Sequence, residues 1–262
     1  MPIDGVRISE NTTHSIFYID ELSDALKQII RDQLQGVWNG FSNTESLPSY
    51  YSYKNTLSSF LDRYNSKADE TKKGMIGELL SHILLGHQEN NLTSLSILKN
   101  KEERSIKKGF DIIYCEIDKD KLWYSEVKSG GLNSTTTSSY NDILLNKAKD
   151  GIQAMINENR SSLWESALFD VSATIKECDG QLNLQELLSN DSPIMTTEQS
   201  KNVILISVLY HNLTDEIDIN SVENFRNSVI TEGVFLDTIV ISIQKATFLA
   251  VSDFLNNEIT IL

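Results

Sequence analysis

Asp111, Glu126 and Lys128 sit in the middle of the chain, in the segments Gly109-Phe110-Asp111 and Glu126-Val127-Lys128. The residues between them read as two strands, Phe110 to Ile117 and Leu122 to Lys128, joined by the polar turn Asp118 to Lys121. Side chains alternate faces along a strand, so Asp111 shares a face with Ile113, Cys115 and Ile117, and Glu126 and Lys128 share one with Leu122 and Tyr124. A two-residue Lys119-Asp120 turn and a four-residue Asp118 to Lys121 turn give the same register. That register sets Asp111 across from Lys128, with Glu126 as a diagonal neighbour. One patch then gathers two carboxylates and an ammonium beside apolar residues. Carboxylates so placed can hold Mg²⁺ or Mn²⁺, hard cations that prefer oxygen ligands and keep several waters. The metal would polarise a phosphate and lower the pKa of a bound water. The lysine would orient that water and stabilise charge developing on phosphorus-bound oxygen.

A third acid belongs with this set. Glu78 is one of the few charged residues on an otherwise apolar helix, Lys72 to His87, and it precedes His82 by one turn. The expected chemistry is phosphodiester hydrolysis by a metal-activated water. Each residue also has an ordinary explanation. An exposed helix acid accounts for Glu78, a strand ion pair for Asp111 and Lys128, and a hydrogen-bonded packing residue for His82. Lys149 and Gln153 are four apart on the next helix, where they could project toward DNA or form a solvated face. The loop Ser129 to Ser139 carries glycines and hydroxyls that could close over phosphates. Lys107 and Lys108 are the only basic cluster beside Asp111. Trp123 points away from Glu126 into core or a helix contact, and Cys115 reads as a small hydrophobe.

These residues need a scaffold, and the pattern predicts one of α/β class. A short strand at Ile16 to Ile19 precedes a helix over Asp20 to Val37, with Asp20 as N-cap, and a second helix fits Tyr53 to Tyr64. After the Lys72 to His87 helix come a candidate strand at Leu92 to Leu98 and the hairpin, then a helix from about Asn141 to Arg160. Residues 161–200 look helical but irregular. Val203 to Tyr210 is an unbroken apolar strand of the kind covered on both faces, and Thr238 to Phe248 reads as another.

Composition narrows the function classes. The chain has 262 residues, 40% of them hydrophobic, enough to bury a sizeable core. No run approaches the roughly 20 apolar residues of a membrane span. The N-terminal segment lacks a basic flank leading into an apolar run, so a cytoplasmic protein is expected. Two cysteines argue against a disulfide framework or a cysteine-rich zinc site. Lys and Arg number 23 against 37 Asp and Glu, for a net charge of −14. A protein that grips nucleic acid alone usually carries a basic patch. Either positive charge is concentrated locally or a partner holds the DNA.

The upstream helical Gly77-Glu78, then Gly109-Phe110-Asp111, then Glu126-Val127-Lys128 resembles the PD-(D/E)xK nuclease superfamily, although Phe110 stands where that pattern has proline. The resemblance implies Glu78, Asp111 and Glu126 as metal ligands and Lys128 as the catalytic lysine. It also implies a restriction-endonuclease-like core, a central mixed β-sheet flanked by helices. On it the chain divides as one domain: a helical elaboration over 1–70, the core over 71–210 with a helical insertion at 161–200, and strand and helix additions over 211–262. The wider run Lys73-Gly-Met-Ile-Gly-Glu-Leu-Leu, Lys108-Gly-Phe-Asp and Trp123-Tyr-Ser-Glu-Val-Lys-Ser-Gly resembles the HamA nuclease subunits of Hachiman anti-phage defence. That implies DNA as substrate, restrained by a partner helicase (a HamB-like subunit), which would also explain the acidic charge. Two other readings remain, a catalytically silent adaptor that binds a helicase and a stand-alone restriction-type endonuclease.

Overall fold

A computed structural model describes residues 2–11, 13–88, 91–99, 109–132, 136–197 and 200–262. The chain begins with β1 (Val6–Glu10), β2 (His14–Ile19), α1 (Asp24–Asn39), α2 (Phe41–Ser46), α3 (Tyr53–Asn65) and α4 (Asp69–Gln88). The centre contains β3 (Leu92–Ser94), β4 (Ile112–Glu116), β5 (Lys121–Gly131), α5 (Thr137–Asn157), α6 (Ser161–Thr174) and α7 (Gln181–Asn190). It ends with β6 (Asn202–Tyr210), α8 (Ile219–Glu232), β7 (Asp237–Lys245) and α9 (Leu249–Ile261). The strands form one seven-stranded sheet in the order β1-β2-β7-β6-β5-β4-β3. Strands β2, β7, β6 and β5 pair in parallel, and β1, β4 and β3 extend the two flanks antiparallel. This is a mixed-sheet α/β fold. No described helix is long and apolar enough to cross a membrane.

Alternation along the strands divides the core into two layers. Ile112, Tyr114, Trp123 and Val127 pack with Ile204, Ile206, Val208 and Ile241 beneath α1, α3, α4 and α9. Ile113, Cys115, Leu122 and Tyr124 pack with Val203, Leu205 and Val240 beneath α5, α6, α7 and α8. Strand β6 is buried from Val203 to Tyr210, as its unbroken apolar run requires. Trp123 and Cys115 are core residues, 4% and 0% exposed, on opposite faces. Two polar side chains that enter the second layer, Asn141 and Ser207, are paired. Asn141 Nδ2 donates to Ser242 Oγ, and Ser207 Oγ donates to Asn141 Oδ1 at 2.6 Å.

Several expectations need correcting. The α1 helix is capped by Ser23, whose Oγ accepts from the Leu26 amide at 3.1 Å, so it starts four residues after Asp20. The candidate strand Leu92 to Leu98 pairs only over Leu92–Ser94. The hairpin register differs by two. Ile112 faces Ser125 and Glu116 faces Lys121, so the connection is Ile117 to Asp120. Ile117 to Lys119 form a 3₁₀ turn and Asp120 closes it at φ 49°, in the left-handed region that aspartate tolerates. Ile117 therefore lies in the turn, 49% exposed, not on the inner face. A slip of two leaves every side chain on its expected face, and extending the pairing puts Asp111 across from Glu126.

Candidate active site

The site lies where β4 stops. β4 pairs with β5 only up to Ile112 and Ser125, so Glu126 to Gly131 bond to β6 on one side and have no described strand on the other. Asp111, just before β4, caps this bare stretch, with the Val127 amide donating to its Oδ2 at 2.8 Å. Glu126 and Lys128 lie two apart on the face beneath α5. Lys128 Nζ donates to Glu126 Oε1. Helix α4 covers the other face, yet Glu78 acts electrostatically on both residues. The unpaired edge explains this, because among the described residues no strand stands between Glu78 and the end of β5.

Glycine allows α4 so close. A Cβ on Gly77 would stand 1.9 Å from Ser129 Oγ and 3.3 Å from Val208 Cγ2. The Gly77-Glu78 pair thus has a packing reason: the first residue lets the helix touch β5 and the second is carried to its rim. Gly77→Ala should lower stability by about 1–2 kcal/mol despite alanine's better helix propensity, because overpacking outweighs that gain. Thermal unfolding checks this, and adding Ser129→Gly should recover part of the loss; a neutral Gly77→Ala would remove the close-packing argument.

A second close approach brings α5 over the face that carries Glu126 and Lys128. A Cβ on Gly151 would lie 3.1 Å from Glu126 Oε1. Glu126 is 7% exposed, and its Oε2 is buried without a hydrogen-bond partner. Burial pushes its carboxyl up to about 8, the Asp111 and Glu78 charges adding to the rise and Lys128 opposing it. Lys128 loses hydration too, but the acids around it, Glu126 foremost, hold its pKa above the usual lysine value. The ammonium stays charged across the physiological range. The site is a buried acid and a charged lysine, within the field of two further carboxylates.

The other candidates have different surroundings. His82 is 4% exposed and lines a 390 Å³ cavity with Gln33, Val37, Phe41 and residues of β3. Lys149 Nζ pairs with Glu232 of α8 at 2.8 Å. Gln153 is half-buried. Lys149 and Gln153 flank Gly151 by two residues each, about 200° round the helix from the residue that meets Glu126. Ser129 to Gly131 belong to β5 and Thr136 caps α5, with its Oγ1 accepting from the Ser139 amide. Lys107 and Lys108 lie outside the described residues. The close contacts made at glycines 77, 130 and 151 escaped sequence reasoning. Their signal was small residues next to the acids and lysine, in Gly77-Glu78, Lys128-Ser-Gly-Gly and Asp150-Gly151.

The donor set is suited to a hard cation, three carboxylates of which Glu126 has an unengaged buried oxygen. Among the described residues, no three His, Cys, Asp or Glu side chains are gathered closely enough to form a ready metal cage. What fits is a hydrated ion on one or two carboxylates, Glu126 and Asp111, with Glu78 near.

No curated protein matches the chain. The sequence profile of the HamA family matches residues 3–251, nearly the whole length and including all four residues of the site. The chain therefore belongs to the HamA family, which makes it an anti-phage defence protein of the Hachiman type.

Proposed function

We propose that this chain is a metal-dependent nuclease of the PD-(D/E)xK kind, which hydrolyses phosphodiester bonds in DNA and works beside a partner helicase. The observation that carries the reading is the crowding of acid at the bare end of β5. Glu126 is buried, keeps one oxygen without a partner, and feels the charges of Asp111 and Glu78. A buried carboxylate in that position costs stability unless a cation or proton neutralises it. Glu126 and Asp111 would hold Mg²⁺ or Mn²⁺, with Glu78 at the rim. The ion would supply a water of lowered pKa and charge neutralisation at phosphorus. Lys128, charged and one-third exposed, would face the phosphate and stabilise its oxygens.

A net charge of −14 supports a partner that holds the DNA, and it weighs against a restriction enzyme that reads DNA alone. The adaptor reading has its own support: the Asp111 cap on Val127 and the Lys128–Glu126 pair are also what a purely structural ion cluster would make. A plasmid cleavage assay separates the readings. Purified protein, alone and with the helicase encoded beside it, should nick or degrade plasmid with Mg²⁺ or Mn²⁺ and not with EDTA. Folded protein that cleaves under no condition, with or without the helicase, would favour the adaptor.

A further inference from the structure

The face of β5 that carries Glu126 and Lys128 continues to Gly130, and there α5 crosses it a second time. A Cβ on Gly130 would lie 2.9 Å from the Tyr140 hydroxyl, 3.1 Å from that ring's Cε1 and 3.2 Å from Leu144 Cδ2. The absence of a side chain at 130 is what lets the phenol rest on the strand. The ring packs against the apolar layer beneath α5 and is half-buried. Among the described residues its hydroxyl engages in no hydrogen bond, although a tyrosine oxygen brought against a strand usually finds a partner. Gly130 follows Lys128 by two residues on the same face, so the hydroxyl stands about 7 Å along the strand from the lysine position. That is comparable to the through-space distance between successive phosphorus atoms along one DNA strand, which exceeds their rise along the helix axis.

The geometry points to Tyr140 as a substrate-binding residue, its hydroxyl donating to a non-bridging oxygen of the phosphate next to the one at Lys128. The assignment rests on the nuclease reading and adds to it a direction for the bound strand, along β5 from Glu126 toward Gly130. A neutral donor suits this rim, since it adds affinity for a phosphate without pairing with the surrounding carboxylates. The function belongs to the oxygen, so phenylalanine should keep the packing and lose the contact.

The test uses the full chain, as wild type and as Glu126→Gln, the latter to measure binding without turnover. A short DNA duplex and one of its single strands, fluorescently labelled, serve as probes in Mg²⁺. Tyr140→Phe in the Glu126→Gln background should weaken binding about tenfold, as expected for one hydrogen bond to a charged group. In the otherwise wild-type protein it should raise KM by a similar factor, with kcat changed by less than about threefold. Its thermal midpoint should not fall, because the hydroxyl bonds to nothing in the described protein. Gly130→Ala should reproduce the binding loss with the tyrosine intact by displacing the ring. Unchanged binding and KM in Tyr140→Phe, with wild type cleaving normally, would overturn the assignment alone. A wild-type protein that neither binds nor cleaves either probe, alone or together with the helicase encoded beside it, would overturn it together with the nuclease reading.

Discussion

Glu126→Gln and Lys128→Ala should each lower the rate of Mg²⁺-dependent plasmid cleavage by about a hundredfold to a thousandfold while leaving the fold intact. The reasons differ. Glutamine keeps the volume beneath Gly151 and can still accept from Lys128, but it cannot carry the negative charge that would hold a cation. Removing Lys128 leaves the acids in place and takes away the cation that, among the described residues, pairs with Glu126. The lysine also keeps Glu126 from rising further, so its loss drives that carboxyl toward the protonated form. Both variants should unfold cooperatively and show wild-type circular dichroism. A Glu126→Gln protein that retains more than a tenth of the wild-type rate would sink the site assignment. Loss in Lys128→Ala alone would leave the lysine as the working group and move the metal to other ligands.

The two main expectations, which face each residue occupies and which residue lies opposite it, did not survive equally. Facing was legible because alternation has a period of two, so the slip between the expected and actual hairpin registers leaves Asp111, Glu126 and Lys128 where they should be. Pairing was not, because it depends on the conformation of one turn residue, Asp120 at φ 49°, which composition does not specify. Apolar β6 and the amphipathic helices were readable from their own runs. Short β1 and β3 pair over five and three residues and carry little periodic signal. The partner of Lys149 was not legible for a tertiary reason: α8 supplies Glu232, and nothing within α5 announces it. The approach of Glu78 likewise depends on where β4 ends and on how closely Gly77 lets α4 settle. Neither is a local property of sequence. Local pattern therefore selects the candidate residues, and strand ends with contact glycines decide which of them meet.

In metal-free buffer, the stability of the wild-type protein should fall as pH rises from about 5 to about 8, and Glu126→Gln should remove much of that fall. In the unfolded chain the Glu126 carboxyl titrates near its ordinary 4.5, whereas in the native protein it is pushed up to about 8, by burial first and then by Asp111. Between those values the native state holds a proton that the unfolded chain has already released. Stability is fully present below about 4.5 and is lost as pH climbs through the folded value. Lys128 is shifted upward from 10.5, so its own contribution persists through this window and disappears only above it. The expected difference between wild type and Glu126→Gln at pH 9 is on the order of a few kcal/mol in favour of the variant, narrowing toward pH 5. Thermal unfolding in EDTA across this range measures it, with Mg²⁺ as the second arm. A cation at Glu126 favours the ionised carboxylate, so Mg²⁺ should raise the wild-type midpoint more at pH 8.5 than at pH 5.5 and leave Glu126→Gln nearly unmoved. Parallel pH profiles for the two proteins would mean that Glu126 is not the acid strained by burial. A Mg²⁺ effect of equal size in both would place the ion elsewhere. Convergence of the two proteins at acid pH, with the metal effect confined to the carboxylate, would tie the strain of the resting site to cation binding at Glu126.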